Sequence, residues 1–457
     1  MERMRENMKF SEAMEMLQQA APDFVTEVTP LNANEAQEEF FAGGCSTTPN
    51  FVYDESTDYV AGKKRIRALL TEFHREDFSE VELEILDEIG RQTRLKYDLW
   101  QMMRLFRHAK TDRQRDNARR QILRCTVALH GEPDEQVYRG LWVERLAEIE
   151  KRFADPKWSD TLCLGDADAF CHLKDAFQSS TRVDEEPFAP RQETLTKFRD
   201  FCWKRWQKTF ERVDVGRTYS PEEVCDLLNT VFREDFPYPT EWRATVSETK
   251  TSLSTNQKAL KLEVPRHRGK GPYTGKVMLE VVLAHELMVH VNRREYARHY
   301  CPEVAIPLPG YLVFEEGLAK AAEQALGGEI DQISIDHYLT AGMAYYDNMD
   351  FAEIFNAQRW QLFLREIKPE DTAETRERKR QKADDEAFRL TLRCLRGTGA
   401  VPLMNNLVYY NGQIQAWKYI EENIDNLDKL EKTLFRSGKT DPTNPLHQKM
   451  LEGIGLM

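Results

Sequence analysis

Apolar residues recur at spacings of three and four along most of the first 180 positions, which is the pattern of helices that bury one face. Clear examples are residues 78–106 and 136–153. A polar stretch with two prolines, 179–193, is typical of a loop or linker. Further on, Ser220 followed by Pro221 is a strong start signal for a helix. The pattern therefore predicts a helical N-terminal region over residues 1–185 and a second region over residues 186–457.

Strand-like alternation of apolar and polar residues is confined to two short segments, 242–247 and 259–264. We expect these segments to pair as a small antiparallel sheet. Helical patterning resumes at about residue 335, and the highly charged segment 366–386 favours a solvated helix or a hinge. The predicted fold is mainly α, with a small β component in an α+β arrangement.

The candidate chemistry lies at the end of an apolar run, where residues 285–290 read His-Glu-Leu-Met-Val-His. Two imidazoles and a carboxylate on one helix are the parts of a catalytic zinc site, although the usual spacing of the histidines is i and i+4. His285 and His290 are five residues apart, which puts them about 140° apart on a regular helix. A π-bulge would bring both rings to one face. The motif is therefore either a coincidence or a metal-binding helix with a local distortion.

A third ligand is needed, because catalytic zinc takes three protein ligands and keeps one position for water. Residues 311–325 predict a second apolar helix that opens with the adjacent acids Glu315 and Glu316. Either acid would complete the set. The alternative is that the two acids only cap the N-terminus of that helix, where negative charge is favourable.

The two segments together resemble the tyrosine/phenylalanine carboxypeptidase family, the relatives of the microtubule-associated tyrosine carboxypeptidase. That family carries HExxxH on one helix and Gln-Glu-Gly-Leu-Ala at the start of another. Residues 316–319 read Glu-Gly-Leu-Ala, and Glu315 stands where the family has Gln. The resemblance spans roughly residues 25–425 and includes the segments 30–32, 49–53, 388–397 and 408–412.

The resemblance implies one Zn²⁺ per chain on a zinc-peptidase-like core. His285, His290 and Glu316 would be the ligands, and Glu286 would be the general base that takes a proton from water. Glu315 would add charge beside the ligands. The implied activity is that of a metallocarboxypeptidase that hydrolyses the last peptide bond of a peptide or protein and releases a C-terminal Tyr or Phe.

A carboxypeptidase must hold the terminal carboxylate of its substrate, and a guanidinium does so with two parallel hydrogen bonds. Arg393 and Arg396 lie in the segment that resembles the family's C-terminal motif, with Arg389 as a weaker candidate. Tyr409 is a further candidate for contact with the substrate. Two alternatives stay open, namely a zinc endopeptidase acting on a protein target and a noncatalytic scaffold that retains the metal helix.

Composition narrows the possible partners and the compartment. The net charge of −13 argues against binding to a nucleic-acid backbone and against broad attraction to an acidic surface. Tubulin, the target type in the eukaryotic branch, is therefore possible but not supported by charge.

No apolar run approaches the roughly 18 residues of a membrane span, and the first residues lack a signal-peptide core. The eight cysteines form no CxxC pair. We expect a cytoplasmic protein without a membrane segment.

Overall fold

The computed structural model describes residues 8–21, 27–158, 164–178, 188–250, 252–257, 259–269, 271–328 and 335–457. Helices make up most of these residues. The α-helices are α1 Phe10–Ala20, α2 Ala33–Ala42, α3 Tyr59–Phe73, α4 Glu80–Arg107, α5 Asp112–His130, α6 Glu135–Phe153, α7 Leu164–Ala176, α8 Gln192–Phe210, α9 Pro221–Glu234, α10 Gly275–Val277, α11 Asn292–Tyr300, α12 Tyr311–Gly327, α13 Ile335–Tyr345, α14 Phe351–Glu366, α15 Ala373–Leu395, α16 Leu407–Asn423, α17 Leu427–Leu430 and α18 Pro445–Gly453.

Two π-helices and three short 3₁₀ turns complete the helical part. The π-helices are π1 Met278–Val291 and π2 Glu431–Arg436. The 3₁₀ turns are Pro156–Trp158, Pro302–Val304 and Met404–Asn406. Because α10, π1 and α11 follow one another without a break, residues 275–300 form one continuous helical rod.

The mainly helical prediction is confirmed, and the start of α9 shows why the sequence signal was clear. Ser220 accepts a hydrogen bond from the backbone N–H of Glu223, and the Glu223 carboxylate accepts one from the backbone N–H of Ser220. Pro221 occupies the first turn, where its missing N–H costs nothing. The same reciprocal cap between Ser79 and Glu82 begins α4.

The predicted antiparallel pairing of segments 242–247 and 259–264 is wrong. Strands β2 Arg243–Ser247 and β4 Lys261–Pro265 run parallel, with Arg243 opposite Lys261. The reason is a third strand between them in the chain, β3 Ser254–Asn256, which pairs antiparallel with β4. The chain reverses once from β2 to β3 and again from β3 to β4, so β2 and β4 point the same way. A separate antiparallel pair joins β1 Thr218–Tyr219 to β5 Tyr273–Thr274.

Three buried apolar clusters hold the described residues together. One surrounds π1 and draws on α8, α9, the three-stranded sheet, α12 and α16. The other two combine N-terminal helices with residues beyond position 290; for example, Tyr138 and Phe355 share one cluster, while Trp100 and Val401 share the other. The N-terminal helices therefore pack on C-terminal ones. The boundary near residue 185 lies outside the described residues, and the two-region division stays a prediction.

Within the described ranges, no helix is both long enough and apolar enough to span a bilayer.

Candidate metal centre

The helix that carries the two histidines is a π-helix over its whole central part. Residues 282–291 are all buried, which matches a sequence that is apolar on every side. In a π-helix the backbone hydrogen bonds join residues five apart, so side chains at i and i+5 lie on the same side. The rings of His285 and His290 accordingly have centroids 4.9 Å apart. The structure therefore has the local distortion that the metal-binding interpretation of this motif requires.

Glu316 faces both histidines from α12. Its Oε2 lies 3.9 Å from Nε2 of His285, and its Oε1 lies 3.9 Å from Nε2 of His290. Ligand atoms of these three residues all lie within 4.8 Å of one another. Two imidazole nitrogens and one carboxylate oxygen are the donor set of many catalytic zinc sites. Ligands of one tetrahedral zinc keep separations of roughly 3.3–3.5 Å, so small side-chain rotations would fit the set to the ion.

The alternative that Glu315 and Glu316 cap a helix N-terminus is wrong. Helix α12 begins at Tyr311, after Gly310 in the left-handed conformation, so the two acids do not open it. Both acids therefore lie inside the helix, where they cannot satisfy the free N–H groups of its first turn.

The glycine after Glu316 allows α12 to touch α16. A Cβ atom on Gly317 would lie 1.9 Å from the carbonyl oxygen of Gly412, and one on Gly412 would lie 2.0 Å from the carbonyl oxygen of Val313. The two backbones are thus in direct contact, which only glycine permits. This crossing places Tyr409, one turn before Gly412, beside the helix that carries Glu316.

Each histidine has a carboxylate behind it. Nδ1 of His285 lies 2.7 Å from Oε1 of Glu323, and Nδ1 of His290 donates to Oε1 of Glu315 at 2.9 Å. With a carboxylate beside Nδ1 in both rings, each Nε2 is turned towards Glu316. Metal-binding histidines commonly have such a carboxylate partner, which fixes the tautomer and the ring orientation.

The carboxylate behind His285 is held in its charged form. Burial would raise the pKa of Glu323, but His285 and Lys320 outweigh burial and lower that pKa to about 2. Nζ of Lys320 lies 2.8 Å from Oε2 of Glu323. Glu323 follows Glu316 by seven residues, close to two full turns, and so lies on the same face of α12.

Glu315 is also ionised, although it is buried. Burial opposes ionisation, yet Lys439, His290 and Arg293 together lower the pKa of Glu315 to about 2. These contacts put its charge beside the candidate ligand His290. Glu315 itself is turned away from the face that Glu316 shares with the two Nε2 atoms, since its oxygens contact Nδ1 of His290, Arg293 and Lys439.

Glu286 lines the same cavity, of about 540 Å³, as the three candidate ligands. The hydroxyl of Thr255 on β3 donates to Oε2 of Glu286. Residues of β3 and its flanks, 252–255 and 257, form one wall of this cavity. The candidate base is therefore fixed by the edge strand of the sheet.

The predicted substrate-binding residues divide into two groups. Arg393 and Tyr409 line the cavity, together with Arg389 and His337. Arg393 donates to the hydroxyl oxygen of Tyr409 at 2.7 Å and to Oδ1 of Asn406 at 2.9 Å. Arg396 is not among the residues that line the cavity, and burial lowers its pKa to about 10.

Sequence reasoning missed three residues that contact the candidate site: Glu323, Thr255 and Lys439. The seven-residue spacing from Glu316 was a usable signal for Glu323. Thr255 and Lys439 come from β3 and from a C-terminal loop, and no local pattern connects either one with the histidine motif.

No protein-family model, curated protein or solved structure matches this chain. The resemblance to the tyrosine/phenylalanine carboxypeptidase family therefore stays a prediction.

Proposed function

We propose that this protein is a zinc-dependent metallocarboxypeptidase that releases a C-terminal Tyr or Phe from a peptide or protein. One observation supports this most strongly. The π-helix turns Nε2 of His285 and of His290 towards Glu316, while Glu286 lies on the wall of the same cavity. An open cavity beside three ligands suits a catalytic ion better than a structural one, since structural zinc usually has four protein ligands.

A zinc ion held by His285, His290 and Glu316 would supply Lewis acidity, which polarises a carbonyl and acidifies water. Glu286 is the general base that takes a proton from the attacking water and then passes it to the leaving amine. The hydroxyl of Thr255 bonds Oε2 of Glu286.

Arg393 is the candidate for recognition of the terminal carboxylate. Its two hydrogen-bond acceptors, Asn406 and Tyr409, are both neutral. A substrate carboxylate would therefore be the oppositely charged partner of the guanidinium. Arg396 is a weaker candidate than Arg393, because Arg396 does not line the cavity. β3 is an edge strand of its sheet, and its open edge suits an extended peptide.

The test is to incubate the zinc-loaded protein with matched peptides that end in Tyr or Phe, as free acids and as C-terminal amides, and to follow the products by mass spectrometry. We expect loss of one residue from the acids and at least tenfold slower cleavage of the amides. Cuts inside long peptides, or equal cleavage of acid and amide, would instead support an endopeptidase. A protein that binds zinc but cleaves no peptide would support a noncatalytic scaffold.

A further inference from the structure

A polar loop near the C-terminus is buried behind His290. Ser437, Lys439 and Thr440 have no exposed surface, and Asp441 is 5% exposed. The loop is fastened to the segment before α12, because the backbone N–H of Lys439 donates to the carbonyl of Val304 at 2.7 Å. Gly438 makes the close approach possible, since a Cβ there would lie 2.2 Å from the same carbonyl oxygen. The position of Lys439 is therefore set by the backbone.

The ammonium group of Lys439 joins two parts of the candidate site. Nζ donates to Oε1 of Glu315 at 2.6 Å and to the backbone carbonyl of His290 at 2.9 Å. The same Oε1 accepts the hydrogen bond from Nδ1 of His290. Lys439 thus contacts both the backbone of this histidine and the carboxylate that orients its ring.

Arg293 completes the buried cluster from the start of α11. It donates to Oε2 of Glu315 at 3.1 Å, and it donates to the hydroxyl of Ser437 at 3.2 Å and the carbonyl of Thr440 at 2.7 Å. Arg293 is therefore held by the same loop that carries Lys439. A carboxylate buried to this extent stays charged only with partners of opposite charge.

We propose that Lys439 is a positioning residue for the metal ligand His290, acting through Glu315 and through the His290 carbonyl. This inference rests on the proposed metal site. Oε1 of Glu315, 2.9 Å from Nδ1 of His290, accepts a hydrogen bond from the proton carried by that nitrogen, which leaves the lone pair of Nε2 available to a metal ion. Lys439 fixes the carboxylate oxygen that does this, and its bond to the carbonyl holds the end of π1 in place. The C-terminal loop is thereby part of the metal site.

The test measures the affinity for Zn²⁺ by competition with a chromophoric chelator, using the full-length chain. Lys439→Met removes the ammonium but keeps most of the side-chain volume, and we expect it to weaken zinc binding about 10- to 100-fold. Lys449→Met is the matched control, because Lys449 is exposed and pairs with Glu84. We expect the control to bind zinc as the wild type does. In Lys439→Met, the visible spectrum of bound Co²⁺ should change, because it reports the ligand geometry.

Loss of a buried cation could also prevent folding, so the double variant Glu315→Gln/Lys439→Met is made in parallel. It removes one positive and one negative charge together, leaving Arg293 near Asp441, and we expect it to fold with weakened zinc binding. Tight zinc binding and an unchanged Co²⁺ spectrum in a folded Lys439→Met or double variant would overturn the inference alone. A wild-type protein that fails to bind zinc would overturn the proposed function and the inference together.

Discussion

At the scale of single residues, Glu286 and Glu316 have the same side chain in one cavity but different proposed tasks. Glu316→Gln should lose zinc, because an amide is a poor substitute for the carboxylate ligand. Glu286→Gln should keep one zinc per chain yet lose roughly 10²- to 10⁴-fold in turnover, since an amide cannot accept a proton from water. Zinc content by mass spectrometry and peptide turnover separate the two effects. Wild-type turnover in Glu286→Gln would show that Glu286 is not the base.

Thr255 offers a second residue-scale prediction. Its hydroxyl donates to Oε2 of Glu286 from the edge strand. Hydrogen bonds to charged groups contribute about 1.5–3 kcal/mol, so Thr255→Val should reduce kcat about tenfold or more. Zinc content should be unchanged, because the hydroxyl of Thr255 bonds Glu286, which is not a candidate ligand.

Thr255→Ser is the matched control for that variant, since it keeps the hydroxyl and removes only a methyl group. We expect it to retain most of the wild-type kcat. Equal turnover in the Val and Ser variants would mean that the hydroxyl does not position the base.

At the scale of elements, the helices and strands that the sequence predicted are those whose apolar residues recur at a regular local spacing. The five-residue spacing between His285 and His290 left two interpretations, a coincidence or a π distortion that lets both rings share a metal, and the structure has a π-helix there. The alternation in β2 and β4 identified both strands but not their relative direction, which depends on β3, three residues long. A helix over 311–325 was predicted, but Glu315 and Glu316 do not open it, because α12 begins at Tyr311. Lys439 could not be predicted, since 149 residues separate it from the His290 carbonyl that it contacts.

The crossing of α12 and α16 supports a prediction about Gly317. An added Cβ would lie 1.9 Å from the carbonyl oxygen of Gly412, so the two backbones must move apart. Gly317→Ala should therefore destabilise the fold by about 3 kcal/mol or more. It should also weaken zinc binding, because Glu316 is the adjacent residue.

Gly453→Ala is the control for this crossing. Gly453 lies in α18, and its added Cβ would meet nothing within 4 Å. Alanine there should be neutral or stabilising by up to about 1 kcal/mol. Chemical denaturation checks both variants, and equal stability in the two would contradict the direct backbone contact.

At the scale of the whole molecule, the buried clusters link regions far apart in the chain. Two of the three clusters join helices before residue 160 to residues beyond 290. The candidate metal centre and its buried hydrogen-bond partners likewise come from π1, α12 and the C-terminal loop 437–441. Stability and metal binding should therefore be coupled, since any change that loosens the C-terminal segment also moves Lys439.

The protonation of His447 gives a way to follow the stability of the C-terminal segment as the pH is changed. Its side chain is fully buried in α18, and Nδ1 accepts a hydrogen bond from the backbone N–H of Asp441 at 2.9 Å. Burial lowers the pKa of His447 to about 4 from an ordinary 6.5. Between these values the unfolded chain binds the proton more strongly than the folded chain does, so stability rises with pH across this window. The stabilising contribution of the neutral ring is present above pH 6.5 and is lost as the pH falls towards 4.

When the pH is lowered from 7 to 5, the free energy of unfolding of the wild type should accordingly fall by about 2 kcal/mol more than that of His447→Asn. Asparagine keeps an acceptor for the Asp441 N–H but does not titrate in this range. His447→Asn should be less stable at pH 7, because a smaller side chain leaves a void, yet its stability should vary less with pH. Urea denaturation at pH 7, 6 and 5 measures both effects, with His267→Asn, at an exposed position, as the control. Parallel pH dependence in all three proteins would show that His447 is not held as a buried neutral group in the folded protein.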